Sequence, residues 1–334
     1  MDGDAWLTPR RRLLISIAVA GIATAVSFAC LRVRGYLGSD FNWLWAAARY
    51  WVAGGNPYHN PAFAVGKPYP FWNPLPYPLP AVILSMPFAL FEPYLAAALF
   101  MGVSSGLLAW GVLPKWRRYA PMFASAPFVI ALAVAQWSPL IVAGAFLPMP
   151  ILALKPNLGL AVTARHPWLK PLVATVAITA VSLVLMPSWP RDWLANLGQH
   201  YNPIPILVLP MGPLLLFAAV AWRRPAGRLL LLMAILPQTP FFYDALPLWL
   251  IPKTGRQGWV LTACGWAAFF GWGAFNHGWA TLTEASAMGA GVLATPGWLV
   301  GLTYLPAMVL VLWHEWQVSR AVRTPGAMPL AASD

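Results

Sequence analysis

Apolar runs long enough to cross a lipid bilayer recur along this chain. A helix that spans the hydrocarbon core needs about 20 predominantly apolar residues. Only 9% of the 334 residues are charged and 60% are hydrophobic, whereas about a quarter of an ordinary soluble domain is charged. Because helices satisfy their own backbone hydrogen bonds in lipid, the sequence predicts an all-α polytopic membrane protein. The candidate spans lie at roughly 13–31, 80–113, 119–135, 138–154, 168–186, 204–222, 228–252, 258–275 and 293–313.

Two of these runs are ambiguous, which leaves the number of spans open. The run 80–113 is too long for one straight crossing and is interrupted by the dipeptide "EP". The run 228–252 contains three prolines around the polar patch "PQTPFFYDALP", and proline breaks or kinks a helix. We therefore expect about nine to eleven spans in a single transmembrane domain, residues 1–323, followed by a flexible tail at 324–334.

The basic residues occur in small clusters between the apolar runs. The formal net charge is +12, but no motif or interleaving of basic and aromatic residues supports nucleic-acid binding. Clusters of this kind are typical of cytoplasmic loops under the positive-inside rule. They predict a multi-pass protein of the bacterial inner membrane with a cytoplasmic N-terminus. The clusters lie at 10–12, 115–118, 223–228, 253–256 and 320–323.

This orientation places the longest loop, residues 32–79, on the external face, together with a shorter loop at about 187–203. The first loop opens with an amphipathic pattern at about 39–53, which predicts a helix at the membrane interface that Gly54 and Gly55 stop. Asp40, one of only nine acidic residues, lies at the head of this helix. It either starts the helix, since carboxylates are favoured at helix N-termini, or acts as a general base.

Other polar residues fall within apolar segments, where a charge is costly and therefore informative. Lys155, in "ILALKPNLGL", is either a lysine that snorkels at a helix end or an ammonium that binds a phosphate. Asp244, in "FFYDALP", is either a polar contact between helices or a functional acid, and Gln136 is either a polar helix end or part of a site. The aromatic residues of the loop either anchor it at the membrane interface or stack on sugar rings: Tyr58, Tyr69, Trp72 and Tyr77.

The sequence contains no motif for a metal or a nucleotide cofactor. There is no P-loop, no glycine-rich dinucleotide fingerprint and no HExxH, and no GxSxG. The five histidines lack the spacing of metal ligands. Cys30 and Cys264 lie in apolar runs and form no CxxC motif. We therefore expect no cofactor, no metal and no disulfide framework.

Four segments, in order, resemble the GT-C-type membrane glycosyltransferases, and more narrowly glycosyltransferase family 87. "GSDFNWLWAAARYWVAGGNPYHN" resembles the family's G-x-D-F start, apolar helix and G-G-x-P-Y end. "YPLPAVILSMPFALF", "AVAQWSPLIVAGAF" and "LALKPNLGL" resemble its Tyr-Pro-Pro, Gly-Gln and Leu-Lys-Pro segments. The likeness covers roughly residues 10–165 and weakens to about 252. Three features depart from the family pattern: Ala135 replaces the glycine before Gln136, the helix pair between Gln136 and Lys155 is shortened to "PLIVAGAFLPMPILA", and no histidine lies beside Tyr243.

This resemblance implies a GT-C-like bundle that transfers a sugar, with mannose the expected one, from a polyprenyl phosphate to an external glycolipid or glycan. Asp40 would be the general base of an inverting transfer that needs no metal. The cation beside the donor phosphate would be Lys155 or Arg191, with Arg34 and Lys67 as weaker choices. The residues that would bind substrate are Asn42, Tyr58, His59, Tyr69, Trp72, Tyr77, Gln136, His200, Tyr243 and Asp244.

Two other classes of function remain open at this stage. The same intramembrane charges suit a transporter or lipid flippase, although the chain has no internal repeat of the kind that many transporters contain. A non-catalytic scaffold subunit with the same architecture is the third reading. The expected partners are the lipid-linked donor, the acceptor and the membrane lipids, without nucleic acid, and the sequence does not indicate the oligomeric state.

Overall fold

The computed structural model describes residues 7–35, 40–59, 75–167, 169–197, 202–276 and 288–323. Within these ranges the chain forms helices joined by turns, and none of the described residues forms a β-strand. The α-helices are α1 Pro9–Arg34, α2 Asp40–Val52, α3 Leu79–Ser85, α4 Pro93–Val112, α5 Trp116–Phe123, α6 Ala126–Ala133, α7 Ser138–Ala143, α8 Ile151–Leu154, α9 Pro156–Arg165, α10 Leu169–Leu185, α11 Trp189–Leu197, α12 Pro225–Ile235, α13 Gly255–Phe275, α14 Met288–Leu299 and α15 Leu305–Arg323.

Tighter 3₁₀ turns and one wider π turn interrupt or join these α-helices. The π turn, Val300–Tyr304, continues α14 into α15. Such departures from α geometry let apolar segments change direction inside the bundle. The 3₁₀ segments are Met86–Leu90, Leu113–Lys115, Pro205–Leu207, Gly212–Ala221 and Phe242–Leu250.

Three helical stretches of the described chain are long and apolar enough to cross a membrane: Pro9–Arg34, Pro93–Phe123 and Val292–Arg320. A fourth results if α10 and α11, which meet at an angle of 104°, are counted as one broken span. The chain is therefore a largely helical protein with the apolar helices of a membrane-embedded fold. The larger number of about nine to eleven spans stays a prediction, because much of the expected apolar sequence forms shorter helices here.

Helices α1 and α4 pack against each other in opposite directions. At one end the Nε of Arg12 donates to the carbonyl of Trp110 over 2.8 Å, and at the other the guanidinium of Arg32 lies 5.1 Å from the ring centre of Tyr94. Gly102 lies where the helices meet, since an added Cβ there would approach the carbonyl oxygen of Ala20 to 2.8 Å. Small residues allow such close approach of two membrane helices. We call the Arg12 end of the bundle the basic end and the Arg32 end the loop end.

In the structure the ambiguous run 80–113 forms one long apolar helix, α4, preceded by a shorter apolar segment. Helix α4 begins at Pro93, and the Glu92 carboxylate caps it by accepting from the backbone N–H groups of Tyr94 and Leu95. The preceding apolar part, Leu79–Leu90, stays at the loop end, where it packs on α2. Residues 115–118 consequently follow α4 at the basic end.

Helix α2 begins at Asp40 and ends at Val52, close to the predicted limits. Gly54 adopts a φ of +88°, the left-handed conformation in which glycine commonly ends a helix. The helix is more buried than an interfacial helix needs to be. The Phe41 ring stacks 4.3 Å from Phe100, and the indole of Trp45 donates to the carbonyl of Phe91 over 3.1 Å.

Helix α9 and the segment Phe242–Leu250 run side by side between the two ends of the bundle. At the loop end Lys155, just before α9, contacts Asp244. At the basic end Arg165, the last residue of α9, donates through Nη2 to the carbonyl of Leu250 over 3.4 Å. Because both segments are short, the polar groups at their ends, Lys155 with Asp244 and Arg165, are buried inside the apolar bundle.

Candidate functional site

Asp40 is buried at the first position of α2, with 9% of its surface exposed. Its Oδ2 accepts a hydrogen bond from the hydroxyl of Tyr77. The residue thus starts the helix and also directs its carboxylate into the protein. The two readings of Asp40, helix start and functional carboxylate, are compatible in this geometry.

Lys155 lies at the break between α8 and α9. Helical geometry is disfavoured for the residue before a proline, and Lys155, followed by Pro156, has φ −139° and ψ 87°. Only 5% of the residue is exposed. Its ammonium Nζ lies 2.8 Å from Asp244 Oδ1 and 3.5 Å from Asp40 Oδ2. The local chain break therefore places one ammonium between two carboxylates from distant segments.

Asp244 is held in place by the backbone around it. It lies in the first turn of Phe242–Leu250 and is 1% exposed. Its Oδ2 accepts from the backbone N–H of Thr239 over 3.2 Å. The amide of Asn157, on α9, donates to the carbonyl of Pro237 over 2.7 Å. This second link between α9 and the proline-rich turn supports the contact of Lys155 with Asp244.

Together these three side chains form a buried ionic cluster, which we call the Asp–Lys–Asp cluster: Asp40, Lys155 and Asp244. With each group ionised it carries one unit of net negative charge, because two carboxylates share one ammonium. Buried charges are expensive unless they are paired and hydrogen-bonded, and in a membrane protein such groups usually mark a functional site. The sequence singled out all three residues, and the structure brings them together.

Tyr77 and Tyr58 connect the cluster to the rest of the loop end. Burial, followed by the neighbouring charge of Asp40, raises the pKa of the Tyr77 phenol above its usual value. The phenol therefore stays protonated and donates to Asp40. The hydroxyl of Tyr58 donates to the backbone carbonyl of Tyr77 over 3.0 Å. Both rings are buried, so they brace the loop instead of offering an open stacking surface.

Helix α11, from the second predicted loop, fastens the first loop. The indole of Trp193 donates to the carbonyl of Pro76 over 2.9 Å, and the amide of Asn196 donates to the carbonyl of Tyr58 over 3.3 Å. Asp192 Oδ2 accepts from the amide of Asn56 over 3.2 Å. It also lies 3.5 Å from Nε2 of His59, whose side chain is mostly exposed. His59 is thus a loop contact rather than a member of the cluster.

Gln136 lies in an unusual stretch of backbone. The preceding Ala135 has φ +48°, a left-handed conformation that costs a non-glycine residue about 1–2 kcal/mol. Gln136 is 2% exposed; its amide reaches the carbonyl of Val134 over 3.5 Å, and its buried Oε1 has no hydrogen-bond partner among the described residues. The departure from glycine noticed in the sequence therefore falls where the backbone favours glycine.

Two more predicted substrate residues are buried near the cluster. The ring of Tyr243 lies 5.7 Å from Lys155 Nζ, within the range of a cation–π contact. Asn42 is fully buried, and its amide reaches the carbonyl of Pro93 over 3.4 Å. Asn42 thus ties α2 to the start of α4, whereas Tyr243 borders the ammonium directly.

Arg191 and Arg34 do not belong to the Asp–Lys–Asp cluster. Arg191 lies exposed on α11, and among the described residues the ion pairs of Asp40 and Asp244 are with Lys155 and not with Arg191. Arg34 is an exposed residue in the last turn of α1. Of the described cations that the sequence analysis considered, Lys155 is therefore the one beside Asp40. The remaining predicted residues lie outside the described ranges: Lys67, Tyr69, Trp72 and His200.

A small cavity reaches the cluster beside Asp244. Its volume of about 20 Å³ is room for about one water molecule. Thr239, Gln238 and Tyr304 line it together with Asp244. The sequence analysis did not single out Thr239 or Tyr304 as site residues. Thr239 contacts Asp244 through its backbone N–H, which no side-chain pattern could indicate. Tyr304 lies in the π turn, far along the chain, where the surrounding sequence contains no sign of a site.

The described residues contain no group of three or more His, Cys, Asp or Glu side chains that could hold a metal ion. Comparison with known proteins adds no family assignment: no protein-family model, curated protein or solved structure matches this chain. The structure itself supports an α-helical, membrane-embedded protein whose buried ionic cluster lies at the loop end.

Proposed function

We propose that this protein is a GT-C-like membrane glycosyltransferase that uses a polyprenyl-phosphate sugar as donor, with mannose as the sugar to test first. The acceptor is the hydroxyl of a glycolipid or glycan. The observation that carries the proposal is the meeting of Asp40, Lys155 and Asp244 in one buried cluster. The resemblance of the surrounding segments to glycosyltransferase family 87 supports the choice of reaction.

The reaction needs a base for the acceptor and a cation for the leaving group. The Asp40 carboxylate takes the proton of the acceptor hydroxyl as that oxygen bonds to the anomeric carbon. The bond from the anomeric carbon to the phosphate oxygen breaks, and its electron pair leaves with the lipid phosphate. Attack opposite the leaving group inverts the configuration. Lys155 offsets the negative charge that develops on the departing phosphate.

The unequal distances within the cluster suggest how it changes when donor binds. An ammonium has three N–H donors, and Lys155 directs them toward Asp244 at 2.8 Å and Asp40 at 3.5 Å. Asp244 is the closer partner and is also held by the backbone of Thr239. We assign it the role of positioning Lys155. The donor phosphate then replaces Asp40 at the ammonium, which frees the carboxylate to act as base.

Exclusion of water is the other requirement, because hydrolysis of the donor competes with transfer. The cluster lies among buried residues, and the adjoining cavity holds about one water molecule. Substrates therefore have to displace part of the lining when they bind. Tyr77 keeps the Asp40 carboxylate oriented by its hydrogen bond, which is the arrangement a positioned base needs.

The experiment compares Asp40→Asn with wild-type protein in lipid nanodiscs. The donor is polyprenyl-phosphate mannose with a radiolabelled sugar, the acceptor a membrane glycolipid extract, and the readout label in the product glycolipid. We expect Asp40→Asn to lower turnover by about 10²-fold or more. The matched control is Asp192→Asn, which alters an acid on α11 outside the cluster and should retain transfer.

Three results would count against the proposal. Unchanged turnover by Asp40→Asn would refute the assignment of Asp40 as the general base. Equal losses of turnover in Asp40→Asn and Asp192→Asn would show that the loss comes from disturbed loop structure. Absence of transfer from mannose and from other polyprenyl-phosphate hexoses and pentoses would remove the donor class. Turnover that survives a chelator is expected, since the proposal assigns the charge on the phosphate to Lys155.

A further inference from the structure

A second concentration of charge lies at the basic end of the bundle, around a cavity of about 960 Å³. We call it the basic cavity. Four of its lining residues are cations without a carboxylate partner among the described residues: Lys115, Arg118, Arg165 and Lys253. A fifth, Arg224, is paired with Glu315 at 3.0 Å. An unbalanced group of cations around a large cavity is a feature that the proposed transfer reaction does not use.

Arg165 is the most informative of these cations. It is 8% exposed, and one of its five N–H donors reaches the carbonyl of Leu250 over 3.4 Å. Its Nε is buried and has no hydrogen-bond partner among the described residues. A buried guanidinium with an unused donor is costly. Arg165 lines the cavity, so an anion bound there would supply both the missing acceptor and the missing charge.

The neighbouring cation Arg118 narrows the type of anion. Its Nε donates to the carbonyl of Pro252 over 2.7 Å, which fixes the guanidinium at the edge of the cavity. Arginine recognises phosphate through paired N–H donors. Lys115 and Lys253 are exposed and add positive charge at the mouth. A phosphate group meets the demands of this arrangement.

The remaining lining favours a phosphate attached to an apolar chain. Apart from these cations, much of the cavity wall is apolar, with Phe146, Leu250, Ile251, Val311 and Val318 among its members. The cavity has far more room than a free phosphate needs. It also lies where the candidate spans Pro93–Phe123 and Val292–Arg320 approach the basic end. Basic pockets between membrane helices are suited to anionic lipid headgroups.

We propose that the basic cavity binds the headgroup phosphate of an anionic phospholipid, with Arg165 and Arg118 as its main ligands. The site is separate from the Asp–Lys–Asp cluster. Lys155 and Arg165 stand at opposite ends of α9, ten residues apart in sequence, which corresponds to about 15 Å along a helix. The lipid contacts the helices that contribute residues to the cavity wall, which are α4, α5, α9, α12 and α15.

The test is equilibrium binding of a fluorescent short-chain phosphatidylglycerol to the full-length protein in neutral detergent. Unlabelled phosphatidylglycerol should compete, and phosphatidylcholine, which has no net charge, should compete at least tenfold less well. Arg165→Gln should weaken binding roughly tenfold or more, as expected for loss of a charged hydrogen-bonding partner. The matched control is Lys170→Gln, an exposed cation near the same end of the bundle that does not line the cavity, and it should leave binding unchanged.

A second variant keeps the proposal open to refutation if Arg165→Gln does not fold. The double change Lys115→Gln and Lys253→Gln removes two exposed cations at the mouth and should weaken binding about threefold or more. Equal binding of both phospholipids, or unchanged binding in the variants at the cavity, would overturn the proposal. Competition by inorganic phosphate at the concentration effective for phosphatidylglycerol would show that the site takes free phosphate, which also overturns the lipid assignment.

Discussion

Replacing Lys155 by methionine should destabilise the protein far more than neutralising either of its acidic partners. At an effective dielectric constant of about 20, the attraction of the ammonium to Asp244 at 2.8 Å is about 6 kcal/mol and that to Asp40 at 3.5 Å about 5 kcal/mol. These gross energies largely offset the cost of burying the charges. Breaking a buried ion pair by removing one partner typically costs about 3–5 kcal/mol net.

The direction of the effect follows from the charge of the cluster. Lys155→Met leaves two buried carboxylates facing each other, so we expect the full loss of about 3–5 kcal/mol. Asp40→Asn leaves the closer pair, Lys155 with Asp244, intact and electrically neutral, and should cost about 1 kcal/mol or less. Asp244→Asn leaves the ammonium with its more distant partner and should fall between these two. The double variant Lys155→Met with Asp244→Asn should recover part of the loss.

The assay is thermal unfolding of each variant in the same detergent at one heating rate, because membrane proteins commonly unfold irreversibly and Tm then depends on the rate. The expected order of Tm is wild type, Asp40→Asn, Asp244→Asn and then Lys155→Met, the last several degrees below the first. A Lys155→Met protein as stable as wild type would show that the ammonium does not hold the cluster. A lowest Tm for Asp40→Asn would reverse the assignment of the closer partner.

Three further predictions concern the surroundings of the cluster. Tyr77→Phe removes the hydrogen bond to Asp40 and should lower the free energy of unfolding by about 1–3 kcal/mol, measured as a lower Tm. In the transfer assay its turnover should fall by a larger factor than its KM for donor rises. Gly102→Ala forces a Cβ against the backbone of α1 and should cost about 1–3 kcal/mol, whereas Gly21→Ala, which meets open space, should not lower the Tm. Ala135→Gly relieves the strain of the positive φ but removes one buried methyl group, so it should change the free energy of unfolding by less than about 1 kcal/mol. Ala135→Val should clearly lower the Tm, because a β-branched residue tolerates a positive φ poorly.

The residues of the cluster could be predicted from the sequence because each is an ionisable group where a charge is costly. Asp40, Lys155 and Asp244 therefore stood out one at a time. Their meeting could not be predicted, because it depends on how α2, the break before α9 and the segment 242–250 pack. The limits of α2 followed from local signals, an acidic start and the Gly54-Gly55 stop.

Other features had no local signal. The sequence alone predicts interfacial anchors or sugar-stacking aromatics at Tyr58 and Tyr77. Their surroundings come from distant parts of the chain, since Asn196 of α11 donates to the carbonyl of Tyr58 and the Tyr77 ring packs near Trp137. Most cations of the basic cavity lie in clusters that are also explained by the positive-inside pattern, and Arg165, which lies outside those clusters, had no signal of its own. The short helices between α4 and α10 carry apolar sequence long enough for spans, so hydropathy alone could not indicate where the chain turns back.

The most direct test of the proposed site is a structure of the protein with a bound polyprenyl-phosphate sugar. The account predicts a phosphate oxygen within hydrogen-bond distance of Lys155 Nζ, with Asp244 still in contact and Asp40 displaced from the ammonium toward the anomeric carbon. A donor phosphate bound elsewhere, with the pair of Lys155 and Asp40 intact at 3.5 Å, would contradict it.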